Sequence, residues 1–395
     1  IELLEETLLE SVRSQLITDV PLGAFLSGGI DSSVIVSLMQ KVSKNPVKTF
    51  TIGFEESAFN EAIYAKDVAK HLGTDHHELY ITASDAIEVI PSLPTLYDEP
   101  FADSSQIPTY LVSQLARQSV TVSLSGDAGD ELFGGYNRYL WGTRIWNKVK
   151  WMPLELRSAL GSAIQKVPVS TWSKAGNFLP SKHKVSLMGS KMHRMAHRLK
   201  TIKDIDDMYS SLVTEGYKEN DLVIGGGEIL STKLDNLNIV VDMKEPEQRM
   251  MLWDSLTYLP DDILTKVDRA AMGVGLETRI PFLDDRVVEL AWRLPLEMKI
   301  KNGEGKWPVR QVLYKYVPKE LIERPKAGFA IPVGQWMRGP LREWADNLLN
   351  EGRIKREGYF DPKLVRRLWE QHLSGLYDWT PRLWAILMFQ AWLEK

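Results

Sequence analysis

The chain has 395 residues, 44% of them apolar and 25% charged, with a net charge of −4, and it contains no cysteine. That length and composition allow two ordinary domains, or one with a large appendage, around a substantial core. The charge supplies no basic field for nucleic acid or an anionic membrane, and the missing cysteines exclude disulfides, zinc–thiolate sites and thiol nucleophiles. A reducing compartment, the cytoplasm, is the expected location. No apolar run reaches the ~18 residues of a membrane span. The opening Ile1-Glu-Leu-Leu-Glu-Glu6 lacks the basic and apolar parts of a signal peptide, and isoleucine at position 1 suggests a processed form or an excised domain.

In chain order, 22–26 is a short apolar run that reads as a strand, and 32–42 follows with helical spacing. Residues 48–54 (KTFTIGF), rich in β-branched and aromatic types, form a second strand candidate. Over 60–72, Ala62, Ala65, Val68, Ala69 and Leu72 share one helical face. A third strand is expected at 76–81, helices near 84–97 and 105–118, and a fourth strand at 120–125. Strands alternating with helices of this length predict an α/β fold with a doubly wound parallel sheet. Beyond Tyr136 the strand signals fade into helices broken by Pro260, Pro281, Pro295, Pro308, Pro318 and Pro325. The expected organisation is an α/β core over 1–136, a helical insertion or variable region over 137–240, and a helical part over 241–395 that completes the site.

Ser27-Gly28-Gly29-Ile30-Asp31-Ser32-Ser33 sits at the first strand–helix junction. Glycines let backbone amides approach an anion, a helix N-terminus adds unpaired donors, and serine hydroxyls add more. Asp31 would repel a phosphate unless a cation lay between them, and Mg²⁺ is the natural choice. No lysine follows the glycines, so this is not the GxxxxGK[ST] loop. The alternative is an Asp/Ser cap after a tight turn. His76 and His77, adjacent on a strand, point to opposite faces and do not make a two-ligand metal site.

The Ser-Gly-Gly-x-Asp-Ser run resembles the pyrophosphate-binding signature of the ATP pyrophosphatases. Three later runs resemble signatures of the asparagine synthetases: 125–136 (SGDAGDELFGGY), 266–284 (KVDRAAMGVGLETRIPFLD) and 324–332 (RPKAGFAIP). Their order and spacing fit that family from residue 1 to about 393.

The resemblance implies ATP and Mg²⁺ as cofactors. It places pyrophosphate on Ser27, Gly28, Gly29, Ser32 and Ser33, and puts Asp31 and Asp130 on Mg²⁺. Leu26 and Ile52 would flank adenine and ribose, with Ser125 and Gly126 on the AMP portion. Asp127 and Glu277 are the carboxylates expected to serve as base, with Lys326 stabilising the charged transition state. The competing reading of Glu277 and Arg279 is an ion pair that holds the loop before Pro281. Asp103, in a stretch resembling the family's loop near the acceptor, could also only cap the next helix.

The implied reaction amidates a small-molecule acid, by default aspartate, through an acyl-adenylate with ammonia. Alternatives keep the chemistry but act on a sugar uronic acid or close a ring. A tRNA-modifying pyrophosphatase is disfavoured by the charge and the absent cysteines, and a scaffold with a retired site by the retention of Asp31, Asp130 and Lys326. Relatives of this type carry a glutaminase domain that begins with cysteine, so such a domain or partner is expected to lie outside this chain. Homo-oligomers are compatible with the reading. Two departures from the family pattern stand out: Ala128-Gly129 replaces Gly-Ala, and Ala271 and Gly275 stand where serines are usual. Both read as changes near the acceptor.

Overall fold

The computed structural model describes residues 1–54, 60–177, 187–214, 222–226, 243–323 and 331–395. Five strands, β1 (Leu22–Phe25), β2 (Lys48–Phe54), β3 (Asp75–Ile81), β4 (Val122–Leu124) and β5 (Glu277–Arg279), pair in parallel in the order β3-β2-β1-β4-β5. The fold is the expected α/β sheet followed by helices. β5 was not foreseen, because three residues are too few to show a period.

Helices α1 (Glu2–Gln15), α2 (Ile30–Val42) and α3 (Ala62–Leu72) pack around the sheet. β2 is buried along nearly its whole length, as expected of a parallel strand covered on both faces. α3 approaches it closely because its inner face is small: a Cβ at Gly53 would lie 2.9 Å from Ala62 Cβ. Gly73, at φ +70°, then ends α3 in the left-handed conformation that glycine adopts without strain.

The core joins Leu4, Leu8 and Val12 of α1 to Val34, Ile35 and Leu38 of α2, and then to Phe282, Val287, Val309 and Val312 from far along the chain. One compact unit therefore comprises residues 1–99, 103–136 and 242–332, and a second comprises 100–102, 137–241 and 333–395. The sequence suggested three consecutive blocks, but the segment after 240 is divided between these two units.

The second unit is helical. Gly161 lets helix Leu154–Lys166 meet helix Met188–Thr201, since a Cβ there would stand 2.5 Å from the Ala196 carbonyl oxygen. Trp369 and Trp384 are fully buried on helices Pro362–Leu373 and Thr380–Leu393. Between these helices, buried His372 donates from Nε2 to the Gly334 carbonyl (3.0 Å), while Nδ1 accepts from the Trp379 amide (3.3 Å). Arg338 donates to the carbonyls of His372, Gly334 and Tyr377. Among the described residues, no helix is long and apolar enough to cross a membrane.

Candidate active site

β1 lies between β2 and β4, so the connections leaving the two sides of this point run to opposite faces of the sheet. That divergence opens a crevice at the carboxyl ends of β1 and β4, where open parallel sheets bind ligands. The two chain segments that end there are 27–33 and 125–127, so the fold brings the first two signatures together. The approach is tight: a Cβ on Gly126 would stand 2.6 Å from the Ser32 amide nitrogen.

The first loop is ordered by its own side chains. Ser27 and Ser32 hydroxyls are 2.9 Å apart, the Ser27 amide donates to Ser32 Oγ (3.1 Å), and the Gly29 amide donates to Ser27 Oγ (3.2 Å). Gly28 sits at φ +68°, with the Ala65 nitrogen 2.7 Å from where its Cβ would be, so both conformation and space demand glycine. Gly29 caps α2 without any side-chain bond, which leaves the opening amides and the positive dipole end of α2 at the crevice. Ser33 is buried and its hydroxyl has no hydrogen-bond partner among the described residues. Leu26 continues the β1 ladder by donating to the Phe50 carbonyl (2.9 Å), and Ile52 lies two residues beyond that; both are buried.

Asp31 and Asp130 converge on one cation, which the sequence analysis missed. Lys306 Nζ contacts Asp31 Oδ2 and lies 2.8 Å from Asp130 Oδ1, with the lysine 5% exposed. Burial alone would lower this ammonium, but Asp130 and Asp31 outweigh it and raise its pKa well above the usual lysine value. Lys306 is held at φ +59° at the start of helix Trp307–Leu313, its amide donating to the Phe133 carbonyl (2.8 Å). Two glycines make room for it. A Cβ on Gly135 would fall 2.0 Å from Lys306 Cε, and one on Gly305 would fall 2.0 Å from the Gly134 carbonyl oxygen. The only signal in the sequence was a lysine in the turn Gly303-Glu-Gly-Lys306 before a proline-initiated helix.

Asp127 follows β4 directly and accepts a 2.5 Å hydrogen bond from the Ser125 hydroxyl. Burial pushes its carboxyl up, with Asp130 adding to the effect and Ser125, Lys266 and Lys306 opposing it. Nearby, Glu131 accepts from the Tyr136 hydroxyl (2.7 Å), and burial together with Asp130 raises it to about 7.

A second charged group neighbours Asp127. Lys266, 7% exposed, donates to Asp103 Oδ2 at 2.6 Å. Burial works against the Asp103 charge, but Lys266 and Ser105 hold its carboxyl below the usual range. Asp103 also accepts from the Ser105 amide (2.9 Å) in the turn ahead of helix Gln106–Arg117, but that helix begins at Ser105 without a side-chain cap, so the ion pair and not the expected capping role is what Asp103 makes. Asp262 lies in the π-helical turn Leu259–Leu264, a distortion common at functional sites. Burial and Asp103 raise it to about 6.

Glu277 does not reach this crevice. It opens β5 opposite Val122, the amino end of β4, and its half-exposed carboxylate accepts from Arg279 Nε at 2.6 Å. Strand direction is the reason: Glu277 lies about 10 Å back along the sheet from the level of Ser125. Arg279 also donates to the carbonyls of Gln15 (2.6 Å) and Ile17 (3.0 Å), fastening the end of α1. Gly275, expected to mark a change near the acceptor, has φ +71° in the turn before β5, a backbone requirement. Lys326 and residues 324–330 of its motif lie outside the described residues. His76 and His77 have structural partners: His76 Nδ1 meets Thr49 Oγ1 at 2.8 Å, and His77 stacks on Phe50.

A five-stranded sheet of this order with a glycine–serine loop at its switch point defines an α/β domain of the ATP pyrophosphatase type. The family model described as "Asparagine synthase" matches residues 3–394, and the chain belongs to that family. It is 30% identical over 390 residues to asparagine synthetase [glutamine-hydrolyzing] 1 of Bacillus subtilis, covering 98% of this chain and 58% of that protein. A putative asparagine synthetase [glutamine-hydrolyzing] of Mycobacterium tuberculosis is 33% identical over 388 residues, covering 97% of this chain and 56% of its own length. A putative archaeal counterpart from Methanocaldococcus jannaschii is 44% identical over 166 residues, 42% of this chain and 31% of its own. The chain thus spans a little more than half the length of the bacterial relatives.

Proposed function

We propose that this chain joins a carboxylic acid to AMP at the expense of ATP, then converts the acyl-adenylate to an amide with ammonia, releasing AMP and pyrophosphate. The observation that carries the reading is the meeting of the serine–glycine loop and Asp127 at the β1–β4 crevice. Gly28 and Gly29 let phosphate approach the backbone, the α2 N-terminus and the hydroxyls of Ser27 and Ser32 supply donors for pyrophosphate, and the Ser33 hydroxyl, unpartnered among the described residues, fits the same role. Leu26 and Ile52 offer apolar walls for the nucleoside, with Ser125 and Gly126 beside the AMP phosphate.

The residues fit Mg²⁺. Asp31 and Asp130 stand close enough for one ammonium to touch both, and the described residues hold no cluster of three or more possible ligands. Two hard carboxylates that leave the remaining positions to phosphates and water are the usual protein share of a magnesium site. When bound, the ion supplies charge neutralisation at the phosphates. Asp127, with its raised pKa, takes the proton that nitrogen loses as the C–N bond forms and the C–O bond to AMP breaks. Lys326 is assigned to the developing negative charge by the family resemblance.

For the acceptor, the charges around Asp127 decide. Lys266 faces Asp103, Asp262 and Asp127, one cation against three carboxyl groups. A surplus of negative charge favours an acid that also carries an ammonium group, which supports aspartate over a uronic acid. Pyrophosphate release should therefore be measured with aspartate, succinate and a uronic acid, each with ammonium. Turnover with aspartate alone is the expected result. Turnover with succinate at the same rate would remove the charge argument, and no release with any acid would remove the ligase reading. Ammonia is taken to come from a glutaminase domain or partner, and the location to be cytoplasmic.

A further inference from the structure

Lys306 occupies a point that a metal ion would also claim. Its ammonium touches Asp31 and lies 2.8 Å from Asp130, so a second cation bridging the same two carboxylates would meet both steric exclusion and like charge. This placement is built into the fold. The lysine backbone is held in the left-handed region at φ +59°, which a non-glycine residue adopts only against strain. Gly135 and Gly305 are the two positions where a side chain would collide with Lys306 or with the strand of chain beside it. Lysine also suits an exchange better than arginine would: its ammonium is a compact charge on a flexible four-carbon stem, able to move while the backbone stays fixed.

We infer that Lys306 and a divalent cation compete for the Asp31–Asp130 pair, so that metal enters only with a nucleotide whose phosphates take over the ammonium. The inference rests on the assignment of Asp31 and Asp130 as the metal carboxylates. It makes Lys306 a positioning residue that sets the order of binding and keeps the two carboxylates neutralised between turnovers.

Mn²⁺ binding, read by electron paramagnetic resonance of the free ion, tests this without reference to activity. The purified chain is titrated with Mn²⁺ alone and with Mn²⁺ plus a non-hydrolysable ATP analogue, alongside Lys306→Met and Lys306→Gln. The wild-type chain should bind Mn²⁺ alone at least tenfold more weakly than either variant does, and Mn²⁺ should raise the variants' melting temperature but not that of the wild type. Tight binding of Mn²⁺ alone by the wild type, lost in Asp31→Asn and Asp130→Asn, would overturn the competition while leaving the metal assignment intact. That arm needs no Lys306 variant to fold. Should neither variant bind Mn²⁺ more tightly than wild type, the competition is also overturned. Failure of the wild type to take up Mn²⁺ even with the analogue, beyond what the analogue binds in free solution, removes the metal assignment itself.

Discussion

Gly129 lies directly beneath the Asp31 carboxylate: a Cβ at 129 would stand 2.4 Å from Oδ1. The preceding residue, Ala128, is held at φ +70°. The alanine and glycine therefore occupy the two positions in the order that protects the carboxylate and leaves the strain on the backbone.

The two substitutions at this pair should separate. Ala128→Gly relieves left-handed strain worth about 1–2 kcal/mol and loses about 0.5–1 kcal/mol to the freer unfolded chain, for a net gain of about 0.5–1 kcal/mol. Gly129→Ala displaces Asp31 and should cut pyrophosphate release by orders of magnitude. Denaturant melts and a release assay on both variants check this; a fully active Gly129→Ala would mean that Asp31 can move without consequence.

Asp127 and Glu277 can be told apart by step. Asp127→Asn keeps the Ser125 hydrogen bond but cannot accept a proton, so amide formation should fall by about 10²–10⁴ while acid-dependent exchange between ATP and pyrophosphate survives. Glu277→Gln should leave both reactions intact and change stability by less than about 1 kcal/mol, since its ion pair is half exposed. Loss of amide formation in Glu277→Gln alone would reverse the assignment.

Lys299 is fully buried, its ammonium 4.6 Å from the Trp292 ring centroid with no hydrogen-bond acceptor among the described residues, and burial lowers it to about 8 from 10.5. Between those two values the unfolded chain binds more protons than the folded one, so stability should rise with pH across that window. Below pH 8 the burial cost is present in full. Lys299→Met should therefore stabilise the protein near neutrality by about 1–3 kcal/mol and flatten the alkaline rise. Urea melts from pH 7 to 10.5 decide it, and an unchanged slope in the variant counts against the account.

His372 makes the same case at lower pH. Burial, with Arg338 adding to it, lowers its pKa below the ordinary 6.5. Protonation would cost the Nδ1 acceptor that receives the Trp379 amide. As pH falls from about 6.5 toward the lowered value, the unfolded chain takes the proton first and stability drops. His372→Gln should remove that part of the acid dependence, measured as melting temperature between pH 7 and 5.

Much of the fold was legible because alternation and local period carry it. β2 coincides with its predicted span, and Leu26, Gly28 and Gly126 fall at strand ends where motif and fold agree. Glu277 was misplaced because motif adjacency says nothing about strand direction: two residues along β5 separate the amino end of the sheet from the crevice. Lys306 was invisible for another reason. Its importance comes from Asp31, Asp130 and Gly135, all remote in sequence, and a lone lysine in a polar turn ordinarily points to solvent.

The late arrival of β5 has a consequence for biosynthesis. Its residues follow β4 by about 150 positions, and at roughly 5–20 residues per second they leave the ribosome roughly 8–30 s later. For that interval β4 is an open edge with unpaired backbone groups, a template for pairing with another nascent chain. Asp31 and Asp130 also wait for Lys306 during the same interval. The nascent sheet is thus short of both an edge strand and a counter-charge until the same late segment emerges, which makes this the window in which chaperones have most to protect.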